Sequence, residues 1–405
     1  MERPGARARL VAIDLARRDI NLFYNVFSNR TLWPLLHSFP AKMTIRHDAY
    51  RAYLRVNRSY AGTIAPMLAP GDLVWAHDYH LMPLGHELRR LGWQGKIGYF
   101  LHTPFPPAEI FTLLPWADEL MDMLMDFDLV GVQTRRHEHN LVDTLSSELP
   151  GYVIGDRFLS DGRAIRTKAY PIGIDIGIDP DEIGRMTAQA GRTAASRFFR
   201  RLPPDQKVML GVDRLYYTKG IVLRLLTFEH LLERYPALRG RVMMVQISAP
   251  SRSRVPEYVE ERRQVDELVG RINGRFSEAG WVPIHYLYRS YSQDELVTFY
   301  NAADVCLVTS LRDGMNLVAK EFVAAQSEDD PGVVVLSRFC GAADSMRDAL
   351  IINPYDIEET ASAMYQALRM PRGERRRRWS ALIEGVRAFT AKDWSRAFLT
   401  DLQLI

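Results

Sequence analysis

Short runs of β-branched and aromatic residues recur along the chain, and the longer segments between them carry apolar residues at helical spacing. That rhythm predicts βα units built around parallel sheets. In the first half the runs DLVWAHD (72–78), KIGYFLH (96–102) and DLVGVQT (128–134) read as strands. A second series follows at KVMLGVDR (207–214), RVMMVQISA (241–249), PIHYLY (283–288), DVCLVTS (304–310), GVVVLS (332–337) and ALIINP (349–354). The expected fold is α/β with two doubly wound sheets. Between the series lies YPIGIDIGIDPDE (170–182), dense in Gly, Pro and Asp, which reads as a crossover linker. Near the end, Trp394, Phe398, Leu399 and Leu402 fall on one side of a helix over 392–403 and need a partner.

Composition narrows the class without changing this picture. A chain of 405 residues has room for two or three domains, each able to bury its own core. The 47% hydrophobic and 25% charged fractions exclude disorder and low complexity. A formal net charge of +3 demands no polyanion, so no nucleic-acid partner is expected. The run Arg375 to Arg378 reads as a solvated helix face. Cys306 and Cys340 sit in or just after apolar runs without ligand spacing, which argues against disulfides and zinc and for a reducing cytoplasm. The start MERPGARARL has no apolar segment behind it, and no stretch approaches 18 apolar residues, so neither export nor membrane spanning is expected.

Ligands of open α/β sheets bind outside the carboxyl ends of the strands, and polar clusters stand at several of these ends. After DLVWA come His77, Asp78 and His80. The histidines have a ligand-like spacing but lack a third ligand nearby, so no metal is expected. Asp78 either accepts hydrogen bonds from ligand hydroxyls or caps the next helix. His102 stands before the rigid turn TPFPP, which fixes it in space, and from this segment alone it reads first as a satisfied core histidine. The strand 207–214 runs into RLYYTKG, where Arg214 and Lys219 flank a helix start near Gly220, a site for an anion such as a diphosphate. The segment DVCLVTSLRDGMNLVAKEFVAAQ (304–326) predicts a strand, a loop with Gly314 and a helix from about Asn316. Glu321, about a turn into that helix, suits the two hydroxyls of a ribose. A cationic loop on one βα unit and an amide-plus-carboxylate loop on another point to a nucleotide with phosphates; no GxGxxG follows a strand, which argues against NAD.

These segments together resemble the trehalose-6-phosphate synthase family, retaining glycosyltransferases with two Rossmann-like domains facing a cleft (GT-B). The matching stretches are YNVFSNRTLWPLLH (24–37), YLRVN (53–57), HDYHLMPLGHELR (77–89), GYFLHTPFPPAEIF (98–111), YPIGID (170–175), RLYYTKG (214–220), GRINGRF (270–276) and LRDGMNLVAKEFVAAQ (311–326). The resemblance implies an acceptor-binding domain over 1–172, a nucleotide-sugar domain over 173–385, and a helix in 386–405 crossing back to the first. It implies glucose transfer from UDP-glucose to glucose 6-phosphate. Arg214 and Lys219 would hold the diphosphate and Glu321 the ribose, with the Leu317 amide nearby. Asp313, Gly314, Met315 and Asn316 would contact the transferred glucose, with His102 at its 6-hydroxyl. Tyr24, Trp33, Asp78 and Arg252 would form the acceptor site, Arg252 and Tyr24 toward the sugar phosphate. The implied mechanism is front-face, the departing phosphate oxygen taking the acceptor's proton, with no cofactor and no metal. DFD (126–128) stands at a strand entry, not in a cleft loop.

Two departures from the family stand out. Its members begin with a further strand carrying an arginine and a Gly-Gly-Leu loop over both substrates, whereas this sequence starts after that point; the expectation is UDP binding with turnover lower than in an N-terminally extended version. Tyr216 stands where the family usually has aspartate, which is expected to alter packing more than phosphate binding. The rival readings are an enzyme with another phosphorylated acceptor, as in glucosylglycerol-phosphate synthases, and an impaired sugar-nucleotide-binding paralogue. Oligomeric state is left open.

Overall fold

The computed structural model describes residues 10–175, 198–199, 201–203, 205–250 and 256–405. Two compact units divide the chain, Met1–Ala169 with Thr400–Ile405, and Tyr170–Leu399. This division falls ahead of the linker boundary expected at 172, and it splits the last helix, Ala391–Leu404, between the units. The start of that helix is tied to the second unit by Ala391 N–H donating to the Ile174 carbonyl at 3.3 Å and by Phe398 edge-on to Tyr170 at 5.2 Å. Its end belongs to the first unit, where Lys168 Nζ donates to Asp401 Oδ2 at 2.6 Å.

The first sheet runs β1-β2-β3-β6-β5-β4, with β1 Val74–His77, β2 Ile97–Phe100, β3 Leu129–Val132, β4 Tyr152–Ile154, β5 Arg157–Ser160 and β6 Arg163–Ala169. β2 and β3 are buried at every residue, as central parallel strands covered on both faces must be, and hence read as continuous apolar runs. The register Val74↔Ile97 to His77↔Phe100 sets the carboxyl ends of β1 and β2 side by side. The β4–β5–β6 meander is antiparallel and was not expected. Its signal was in the sequence: Asp161 and Gly162 both adopt positive φ (50° and 74°), the Asp-Gly pattern of a tight hairpin turn.

The second sheet is wholly parallel and runs β12-β11-β10-β7-β8-β9, with β7 Lys207–Arg214, β8 Val242–Ala249, β9 Ile284–Leu287, β10 Val305–Val308, β11 Val333–Ser337 and β12 Leu350–Ile352. Strand order reverses between β7 and β10, the position at which loops diverge and ligands enter in such sheets. The arginine run lies on the helix Arg372–Ala388 and is answered by carboxylates: Arg375 by Asp330 at 2.5 Å, Arg377 by Glu374 at 3.0 Å and Asp348 at 3.3 Å, and Arg378 by Glu374 at 2.8 Å. No helix among the described residues is long and apolar enough to cross a membrane.

Candidate active site

Asp78 follows β1 with φ 70° and ψ 166°, a conformation nearly reserved for glycine and one that persists only where surroundings impose it. Its carboxylate makes no capping bond to the short helix Tyr79–Leu81; Oδ1 instead accepts the backbone N–H of His102 at 3.3 Å. The capping alternative therefore fails, and the two loops after β1 and β2 are joined. Three side chains clamp the loop from behind. The Tyr53 hydroxyl donates to the Tyr79 carbonyl at 2.7 Å, Asn57 Nδ2 to the His80 carbonyl at 3.1 Å, and the Tyr79 hydroxyl to Asn29 Oδ1 at 2.8 Å. Tyr53 and Asn57 stand one turn apart on the helix His47–Ile64, a spacing that could have been read as one face meeting one loop.

His77 and His80 have different aromatic neighbours. His77 Nδ1 lies 3.1 Å from His102 Nε2 with the rings stacked at 5.4 Å, whereas His80 stacks on Tyr24 at 5.5 Å. Burial, with the neighbouring His77, pushes the His102 imidazole down to about 4, and burial lowers His77 as well. Both rings are neutral at pH 7, so one nitrogen of the close pair donates its hydrogen to the other. Tyr24 is 40% exposed and lies on the π-helical segment Asn21–Leu32. Trp33 follows that segment and stacks on His37 at 4.1 Å. In this segment the buried pairs Leu22–Phe23, Val26–Phe27 and Thr31–Leu32 recur more widely than α-helical spacing, so a helix with i→i+5 bonding places all of them inward. Arg252 lies outside the described residues.

In the second unit the loops after β7 and β10 are bonded to each other: Leu311 N–H donates to the Thr218 carbonyl at 2.7 Å. Gly220, at φ +66°, precedes the helix Ile221–Arg234, and a Cβ there would meet the Thr309 carbonyl at 2.4 Å. This close approach sets Lys219 Nζ 2.5 Å from Asp313 Oδ2. The same oxygen accepts from Asn316 Nδ2 at 3.0 Å and Ser310 Oγ at 3.3 Å. Burial opposes the Lys219 charge, but the Asp313 and Asp213 carboxylates outweigh it and hold its pKa above the ordinary lysine value. Asn316, at φ 72° and ψ 89°, caps the helix Leu317–Ala325 from the left-handed region, with Gly314 and Met315 buried before it. The Leu317 amide thus belongs to the helix's unsatisfied first turn.

Arg214 is exposed at the end of β7, its guanidinium 5.5 Å from the Tyr216 ring centroid. Tyr216 is buried edge-on against Tyr258 at 5.1 Å, so the substitution at this position fills core space and gives Arg214 an aromatic neighbour. Glu321 is half-buried and accepts from the Tyr300 hydroxyl at 2.9 Å. Burial raises its pKa and the Tyr300 bond opposes the rise. Neither Tyr300 nor Lys320, which donates to the Ile172 carbonyl at 2.7 Å, carried a sequence signal. Asp126 and Asp128 of DFD are spent on the fold, on His86 at 2.7 Å and on Arg89 at 2.9 Å.

Residues 3–404 match the family model of Glycosyltransferase family 20. The chain belongs to that family. Among family 20 relatives, a trehalose-6-phosphate synthase of Klebsiella pneumoniae is 42% identical over 395 residues, which make up 97% of this chain and 82% of the relative. An α,α-trehalose-phosphate synthase (UDP-forming) from Burkholderia xenovorans, solved in complex with glucose-6-phosphate, is 40% identical with a TM-score of 0.91, covering 96% of this chain and 85% of its own. A trehalose-6-phosphate structure from E. coli bound with UDP-2-fluoro glucose is also 40% identical, with a TM-score of 0.92, covering 96% of this chain and 86% of its own. The two doubly wound units are those of the GT-B class.

Proposed function

We propose that this chain is an α,α-trehalose-phosphate synthase (UDP-forming), transferring glucose from UDP-glucose to glucose 6-phosphate with retention to give α,α-trehalose 6-phosphate and UDP. The observation that carries the reading is the junction of the β7 and β10 loops, where Lys219, Asp313 and Asn316 meet at a helix N-terminus in a chain matching family 20 over residues 3–404. Relatives solved with glucose-6-phosphate and with UDP-2-fluoro glucose support the substrate pair.

Arg214, Lys219 and the first amides of the helix Leu317–Ala325 bind the diphosphate, and Glu321 binds the ribose. Asp313, Gly314, Met315 and Asn316 are assigned to the glucose being transferred, and the family resemblance assigns His102 to its 6-hydroxyl. Asp78 accepts from an acceptor hydroxyl, with Tyr24, Trp33 and Arg252 completing that site. In the reaction the C1–oxygen bond to the β-phosphate breaks, and the acceptor hydroxyl oxygen bonds to C1 on the same face. Its proton passes to the departing phosphate oxygen. Catalysis then consists of positioning and of stabilising charge growing on UDP, which two cations and a helix terminus supply. No metal is assigned to the reaction. The cytoplasm is its proposed location, in keeping with two buried, unpaired cysteines.

A UDP-release assay with UDP-glucose across several phosphorylated acceptors tests this. Glucose 6-phosphate is expected to give the fastest release, with an α,α-linked product by NMR and no loss on adding EDTA. Release no faster with glucose 6-phosphate than with glycerol 3-phosphate would overturn the acceptor assignment.

A further inference from the structure

Tyr300 lies on the helix Gln293–Ala302, outside the segments expected from the sequence to meet a nucleotide, and its place is fixed by several contacts. Ser292 and Glu295 form a capping box that sets the start of this helix. Gln326 Nε2 donates to the Tyr300 carbonyl at 2.5 Å while its Oε1 accepts from Gly332 N–H at 2.7 Å, tying the end of one helix to the exit of the next. The Tyr300 ring is 2% exposed and edge-on to Phe322 at 6.4 Å. From this held position the hydroxyl donates to Glu321 Oε2 at 2.9 Å.

We propose that Tyr300 is a positioning residue for Glu321, its hydroxyl fixing Oε2 so that the carboxylate is held in one orientation with Oε1 left for the ribose hydroxyls. The proposal rests on the reading of Glu321 as the ribose-binding group. A glutamate side chain held in advance loses less rotamer freedom when the nucleotide binds, which strengthens binding without adding a contact to the ligand. The polar surroundings are consistent with a donor and an ionised acceptor. Burial and Glu321 keep the phenol well above its ordinary pKa, and the other groups bearing on it are Cys306 on β10 and Asp213 on β7. Asp213 is itself paired with Arg224 at 2.5 Å. Burial pushes Glu321 toward protonation and the Tyr300 bond opposes it.

Calorimetric titration of UDP and 2′-deoxy-UDP into the intact protein and into Tyr300→Phe, Glu321→Ala and the double variant decides the question. Tyr300→Phe is expected to weaken UDP binding by about 10-fold or more, the scale of one hydrogen bond to a charged group. It should narrow the preference for UDP over 2′-deoxy-UDP, raise KM for UDP-glucose more than it lowers kcat, and move the acid limb of UDP binding to higher pH. In the Glu321→Ala background the same substitution should cost no further affinity. An equal loss in both backgrounds would mean a merely structural role and overturn the proposal. So would full UDP affinity in Tyr300→Phe beside a weakened Glu321→Ala, which leaves the ribose reading standing. Full affinity in Glu321→Ala would remove the ribose reading and the proposal with it.

Discussion

Lys219 shows how one side chain serves two needs: its ammonium balances Asp313 at 2.5 Å and, in the proposed reaction, faces the leaving diphosphate. Replacing Lys219 or Arg214 by alanine is expected to lower turnover by roughly 10²-fold or more, the cost of removing one preorganised charge stabiliser. UDP release at saturating substrates measures it; near-parental turnover in either variant would remove that residue from the leaving-group role. The histidine pair carries a second consequence. An imidazole held at about 4 in the folded chain, against 6.5 unfolded, takes its proton first in the unfolded state. Its contribution to stability is complete above 6.5 and is lost as pH falls toward 4. Denaturation midpoints of the parent and His102→Asn should therefore converge on acidification across that interval. Parallel curves would show that His102 titrates normally.

Among elements, the junction of β7, β8 and β10 is held by a side chain with no contact to any proposed ligand. Arg224, 1% exposed on the helix Ile221–Arg234, donates to Asp213 at 2.5 Å, Gln246 at 2.8 Å and Thr309 at 2.9 Å, one partner from each strand or its immediate exit. Gly211 is required beside it, since a Cβ there would lie 2.4 Å from Arg224 Nη1. Arg224→Ala should destabilise the second unit by about 3 to 5 kcal/mol, because it removes the ion-pair partner of the buried Asp213, which keeps only the charge of Lys219 nearby. Adding Asp213→Ala should recover part of that loss, and chemical denaturation of the single and double variants reads the coupling; strictly additive losses would show that the pair does not interact. Strand positions were legible because each is a short apolar run bounded by turn residues. The β4–β5–β6 meander escaped that reading because β4 is exposed at all three residues and β6 mixes basic and apolar positions, so neither looks like a core strand.

At the scale of the whole chain, the last helix joins residues distant in sequence. Asp401 pairs with Lys168 on β6 at 2.6 Å and with Arg166 at 3.8 Å, and Leu402 is fully buried. Deleting residues 400–405 should raise hydrogen exchange in β6 and β3 and leave β7 to β12 unchanged. Unchanged exchange in β6 would deny the helix end its place in the first unit. The amphipathic stripe Trp394–Leu402 and the Gly- and Asp-rich linker could be read locally, since periodicity and turn chemistry depend on near neighbours along the chain. So could the residue types of the phosphate loop and of the helix start at Asn316. The partner of each charge could not. Lys219 and Asp313 are 94 positions apart, Tyr300 and Glu321 lie on separate helices, and His77 meets His102 only because β1 and β2 pair in register. By itself the sequence determined the parallel strands, the α/β class and the chemical types at the strand ends, but not the β4–β5–β6 meander. Tertiary structure decided which of those groups touch, because a buried charge or donor must be satisfied by whatever group the strand order sets beside it.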